Sequence, residues 1–213
     1  MDDDISIVNQ NTKINQIKNF LTQNSKKIFI LILIILIILL SFFALGELNK
    51  RKKNKLAEEY NNIIFTINQY SDTEIKDRMI KIVNEKVDTY STLALYYLID
   101  KQLIEDDNDM RKLFDIIISI NKDSELKNLV IFKKALYFSD KISEGELLEI
   151  LNPIINSESI WKQHGLLLMG DFYFYNKQFN KSKEFFQKII ELKNVNPKIK
   201  LDVEKRLNRD FSE

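Results

Sequence analysis

"HGLLLMGDFYFYNKQFNKSKEFFQKIIEL", His164 to Leu192, decides the fold of this 213-residue chain. Its apolar residues return at helical rather than alternating spacing, and the polar joint "NKQ" divides it in two. The spacing predicts helices over Ser157–Asn176 and Asn180–Leu192. A joint of so few residues sends the second helix back along the first, so the pair is antiparallel.

Outward from this stretch the same rhythm recurs. Helices are expected at Tyr90–Lys101, Asp109–Ile120, Ser124–Ser139 and Glu144–Leu151, with a last one opened by Asn196 as N-cap and Pro197 at the first helical position. Upstream, Leu56 to Tyr70 carries Ile63, Ile64 and Ile67 at helical spacing, and a further stripe runs through Ile75, Met79, Ile82, Val83 and Val87. Ser71 with Glu74, and Ser143 with Glu146, have the form of capping boxes, in which the serine oxygen accepts a helical N–H and the glutamate reaches back. Pro153 lies inside an apolar stretch and lacks an N–H, so it is expected to end or kink its helix. Composition agrees with an all-α fold: four glycines and two prolines are too few turn residues for a sheet protein of this size. Helices of about four turns joined by short polar links suggest a repeat array.

The opening stretch resembles a tetratricopeptide repeat. Met169-Gly170 stands at the Leu-Gly position, Tyr173 at the following aromatic, Phe179 at the aromatic opening the second helix, Ser182 at the small residue and Phe186 at the later aromatic. The resemblance implies that Gly170 and Ser182 let the two helices approach closely while the aromatics fill the wedge between hairpins. Lys177 replaces the usual turn glycine, Ile189 replaces a small residue, and Asn194 sits where proline is common. Ala94 and Ala135 are the equivalents of Gly170 in two degenerate earlier hairpins. An ordinary helical bundle with one such hairpin is the alternative.

A second stretch, "KKIFILILIILIILLSFFALGELNKRKK", Lys26 to Lys53, concerns the membrane. From Ile28 to Gly46 nothing is charged, and at the helical rise this run covers roughly 28 Å, close to the hydrocarbon thickness of a bilayer. Ala44-Leu45-Gly46 offers a small-x-small pattern for signal peptidase, but the run is longer than a signal core and its leader is long, so a retained anchor is the expectation. Without cysteine there is neither a lipoprotein anchor nor a disulfide framework. The cluster Lys50, Arg51, Lys52, Lys53 and Lys55 reads as the charged flank of the span, or as a binder of anionic headgroups. On the other side stand Lys13, Lys18, Lys26 and Lys27; the two flanks balance, and Asp2, Asp3 and Asp4 carry little weight, so charge leaves topology open. The leader has a modest amphipathic stretch at Ile14, Ile17, Phe20 and Leu21. The expected parts are a leader (1–27), an anchor (28–46), a juxtamembrane helical region (47–88) and a helical repeat domain (89–213), together a single transmembrane helix followed by a tetratricopeptide-like α-α superhelix.

This order of parts, with "TLALYYL" and "NPIINSESIWKQHGLLLMGDFYFYNKQFNKSKEFF", resembles the ancillary subunit of the bacterial SecYEG translocon, the YfgM-like family. The resemblance implies an inner-membrane protein with a cytoplasmic N-terminus and a periplasmic helical domain. It also implies the SecYEG translocon and a periplasmic chaperone such as PpiD as partners. A passive scaffold assembling through the span, and a cytosol-facing tetratricopeptide adaptor, are the other readings.

Chemistry is poorly provided for. His164 is the only histidine and the chain has no cysteine, so Cys–His dyads and the usual zinc sites are excluded, and no catalytic residue, metal ligand or cofactor is expected. Glu105-Asp106-Asp107-Asn108-Asp109 lacks the spaced oxygens, glycine and terminal glutamate of a calcium loop and reads as an interhelical loop with an N-cap. A net charge of +1 gives no field pointing to nucleic acid. What remains is a surface for protein partners: in tetratricopeptide repeats the first helix of each pair lines the concave face. That places His164, Leu167, Asp171 and Phe174, with Phe132 from the preceding hairpin, in a candidate groove that Trp161 covers or rims. Leu167 and Phe174 as plain core residues are the bland counterpart.

Overall fold

The computed structural model describes residues 18–211, and among them every regular element is a helix. Asp2, Asp3, Asp4, Lys13, Ile14 and Ile17 lie outside the described residues. The chain divides into two compact units, Met1–Lys55 and Leu56–Glu213.

The first unit is dominated by α1, Ser25–Phe65, an unbroken helix of 41 residues that continues past the unit's end. Its large apolar side chains from Phe29 to Leu48 are 46% to 75% exposed, and they occupy every side of the helix. By length and composition α1 is apolar enough to cross a membrane. Ser41 is the only polar side chain from Ile28 to Gly46, and its Oγ donates to the Ile37 carbonyl at 2.8 Å. Its hydroxyl therefore needs no outside partner in hydrocarbon.

The second unit begins with the tail of α1, which buries Leu56 and Ile63, and a 3-10 turn at Ile67–Gln69. Eight helices follow: α2 (Asp72–Asn84), α3 (Asp88–Asp100), α4 (Asp107–Ile120), α5 (Ser124–Phe138), α6 (Glu144–Ile155), α7 (Lys162–Tyr175), α8 (Phe179–Ile190) and α9 (Pro197–Asp210). Side-chain caps open many of them. Ser71 accepts from the Glu74 N–H, Asp106 from Asn108 and Asp109, Asp123 from Leu126, Ser143 from Glu146, and Asn196 from Lys198. The two capping-box glutamates turn elsewhere: Glu74 pairs with Arg78 at 2.8 Å and Glu146 with Arg111 at 2.6 Å.

These helices form two layers. Even-numbered neighbours are tied by Arg111–Glu146 between α4 and α6, and by Lys181–Glu144 between α8 and α6. Odd-numbered neighbours touch where Lys133 of α5 lies 4.5 Å over the Tyr96 ring of α3, and where Phe132 of α5 meets His164 of α7. Arg206 of α9 bonds Asp171 of α7 and continues the row. Between the layers sit two apolar clusters, the first around Ile82, Leu95, Phe114 and Phe138, the second around Leu151, Met169, Phe186 and Val203. Helix α5 feeds both, with Val130 and Phe138 on one side and Ile131 and Ala135 on the other.

Several boundaries depart from expectation: α1 stops at Phe65 rather than Tyr70, and Val87 lies past the end of α2 as the N-cap of α3. Pro153 does not end its helix: α6 runs on to Ile155, two residues past a proline that has no N–H to give the Glu149 carbonyl. The helix expected from Ser157 begins only at Lys162. There the serine hydroxyls compete for the backbone: Ser157 Oγ accepts from the Ser159 N–H, Ser159 Oγ accepts from the Trp161 N–H, and Glu125 of α5 takes both the Ser159 hydroxyl (2.8 Å) and the Ile160 N–H (3.2 Å). Three non-glycine residues close helices in the left-handed region, Lys86 (φ 57°), Gln102 (φ 51°) and Lys177 (φ 60°). At Lys177 the turn is held by two bonds, Lys177 N–H to the Phe174 carbonyl and Gln178 N–H to the Tyr173 carbonyl, the Schellman arrangement that a glycine would adopt with less strain.

Candidate partner-binding face

The α7/α8 hairpin is the most closely packed pair. A Cβ built on Gly170 would fall inside the contact shell of the Phe186 ring, and the buried Ser182 hydroxyl donates to the Gly170 carbonyl at 2.8 Å. Tyr173 is buried, with its ring 5.3 Å from that of Phe185. Its hydroxyl donates to Glu144 at 2.9 Å, and Lys181 donates to the same carboxylate at 2.8 Å. These two partners, the lysine first, hold the Glu144 carboxyl below its usual range, and burial beside Glu144 pushes the Tyr173 phenol up. Phe179 is 48% exposed and meets Phe174 edge-on at 5.5 Å, at the rim of the hairpin rather than within it.

The residues expected to line a groove are divided between two places along α7. Near its start, Phe132, Trp161 and His164 form one half-buried cluster: Trp161 stacks on Phe132 at 5.9 Å and 21°, and His164 lies 5.7 Å from Phe132 and 5.1 Å from Trp161. Among the described residues the buried His164 Nδ1 finds no hydrogen-bond partner of good geometry. Desolvation pulls the imidazole below its ordinary pKa, opposed by a hydrogen bond with the Ile160 backbone. Leu167 is half-buried against the second core cluster. Further along, Asp171 is engaged by Arg206, and Phe174 packs against Phe211 at 6.0 Å as well as Phe179. Burial raises the Asp171 carboxyl even though the Arg206 guanidinium opposes it. The α9 segment thus occupies part of the surface at the Asp171 end, while the Phe132 end carries no such helix-borne ion pair.

One part of this face gave no warning as a site in the sequence. Between α3 and α5 opens a notch of about 240 Å³, lined by Thr92, Leu93 and Tyr96 on one side and Leu126 and Leu129 on the other. Leu93 is 40% exposed and Leu126 55%. The available signal was "TLALYYL", apolar around its whole circumference, which marks a helix with a second face beyond the one it buries. Leu136, four residues beyond Phe132 on α5, is exposed as well. Notch, aromatic cluster and Phe174 lie along the α3–α5–α7 layer, with Lys133 over the Tyr96 ring and the Asp171–Arg206 pair among them. Among the described residues no group of three or more acidic, histidine or cysteine side chains is placed to hold a metal ion. No family model matches the chain, and neither a curated protein nor a solved structure matches it.

Proposed function

We propose that this chain is a membrane-tethered protein-interaction module without catalytic activity. Its second unit is read as a tetratricopeptide-like α-α superhelix of degenerate hairpins, and α1 as a retained single span. The observation that carries the reading is the apolar surface along α3, α5 and α7, where Leu93, Leu126 and Leu136 stand exposed in a molecule that has buried a full core elsewhere. Such a surface suits extended or partly folded polypeptide, whose apolar side chains fill notches while weak contacts add along the row. Tethering raises the effective concentration of a membrane-bound partner, so modest affinity suffices. By the resemblance of its parts, we assign the module to the SecYEG translocon in a bacterial inner membrane. In that assignment the N-terminus is cytoplasmic, the helical unit is periplasmic, and the module passes emerging chains to a periplasmic chaperone such as PpiD.

Exchanging residues 28–46 for an unrelated span tests where the activity resides. Retained capture of translocating chains supports the helical unit as the active part, and loss of capture with correct insertion assigns the role to the span. Protease treatment of intact spheroplasts reads the address: digestion of the helical unit supports the periplasmic side, and protection until the inner membrane is lysed overturns it.

A further inference from the structure

Lys50, Arg51, Lys52, Lys53 and Lys55 stand on α1 just beyond the apolar run, and all five are exposed. Successive helical positions are turned by about 100°, so the four consecutive cations already cover the circumference, and Lys55 falls between Arg51 and Lys52. At the helical rise they lie roughly 6 to 14 Å past Gly46, which is the depth of the headgroup layer and its aqueous edge. The only acid from Glu47 to Lys55 is Glu47 itself, which takes Arg51 at 2.9 Å, so the belt keeps an excess of positive charge. Two lysines, Lys26 and Lys27, mark the other end of the run.

The placement discriminates between partners. Charges on one face of a helix suit a single protein or nucleic-acid surface approaching from that side. Charges on every side suit something that surrounds the helix, as lipid does where a span leaves the hydrocarbon. We propose that this belt binds anionic phospholipid headgroups and enriches them around α1 over zwitterionic ones. The inference rests on the reading of α1 as a membrane anchor.

Full-length chain reconstituted in phosphatidylcholine vesicles, with spin-labelled phosphatidylglycerol or spin-labelled phosphatidylcholine as reporter, measures it through the fraction of label that the protein immobilises. The expected result is a preference of about twofold or more for phosphatidylglycerol at low salt, shrinking as salt is raised. The preference is kept in K50R/K52R/K53R/K55R and lost in K50Q/R51Q/K52Q/K53Q/K55Q. Equal immobilisation of the two labels by the wild type at low salt overturns the proposal, as does a preference that survives high salt. The salt series needs no variant, so a glutamine variant that inserts wrongly leaves the test standing. Alkaline extraction of the same vesicles reads the anchor separately: release of the chain overturns the anchor, whereas retention without lipid preference overturns the belt alone.

Discussion

His164 is the one imidazole in the chain, and its position makes it a clean reporter of packing. It packs against both Phe132 and Trp161 with Nδ1 buried, and desolvation lowers its pKa below the ordinary 6.5. The unfolded chain therefore binds a proton at a higher pH than the folded one. Between those two pKa values the unfolded state holds more protons, so stability rises with pH through the window below about 6.5 and is lost as pH falls through it. Denaturant unfolding of the detergent-solubilised chain at steps from about pH 7.5 to about pH 5.5 checks this, since most carboxylates stay ionised over that range. The wild type is expected to lose stability on the acid side, and H164F to show a flatter profile. Identical slopes would mean that the ring is not desolvated. The tetratricopeptide resemblance put this residue on a candidate face; it could not reveal the buried nitrogen, which depends on the irregular Ser157–Trp161 segment that brings Trp161 alongside. Serine pairs that bond their own backbone leave no periodic trace.

At the scale of elements, the α7/α8 hairpin depends on one close approach. Gly170 admits the Phe186 ring, and Ser182 spans the remaining gap with its hydrogen bond to the Gly170 carbonyl. A methyl group there has nowhere to go unless the ring moves. G170A is expected to destabilise the folded chain by about 1–3 kcal/mol, the usual range for overpacking. F186L in the same molecule should recover part of that loss, because the two changes share one space and their effects are not additive. Thermal melts of the two single variants and the double variant check it, and strict additivity would contradict the packing described. This hairpin was readable because its small residues and aromatics carry a spacing signal. So were the N-terminal caps, since a Ser, Asp or Asn ahead of an apolar stripe has a local physical cause. Pro153, expected to end or kink its helix, does not end it, and the sequence does not mark that the helix runs two residues beyond it. Lys177 shows the reverse case, a helix end held by a Schellman turn without its expected glycine, with tertiary packing outweighing local strain.

For the whole molecule, the two features that matter are an apolar helix suited to hydrocarbon and a two-layered helical unit with leucines exposed along α3 and α5. The first was legible in nineteen uncharged residues, Ile28 to Gly46. Of the second, the final hairpin was legible, while the α3/α5 notch was not, because it is made by residues over thirty positions apart whose side chains converge only after folding. If partner polypeptide is held on the α3–α5–α7 layer, contact should be confined to that layer. Site-specific photocrosslinking in cells tests this most directly, with the photoreactive residue placed at Leu93, Leu136 or Phe174 and, as the opposite-layer control, at Lys112 of α4. The expected result is adducts to translocating chains or translocon components from the first three positions and none from Lys112. Adducts of equal yield from both layers, or none from any position in a correctly inserted chain, would contradict it.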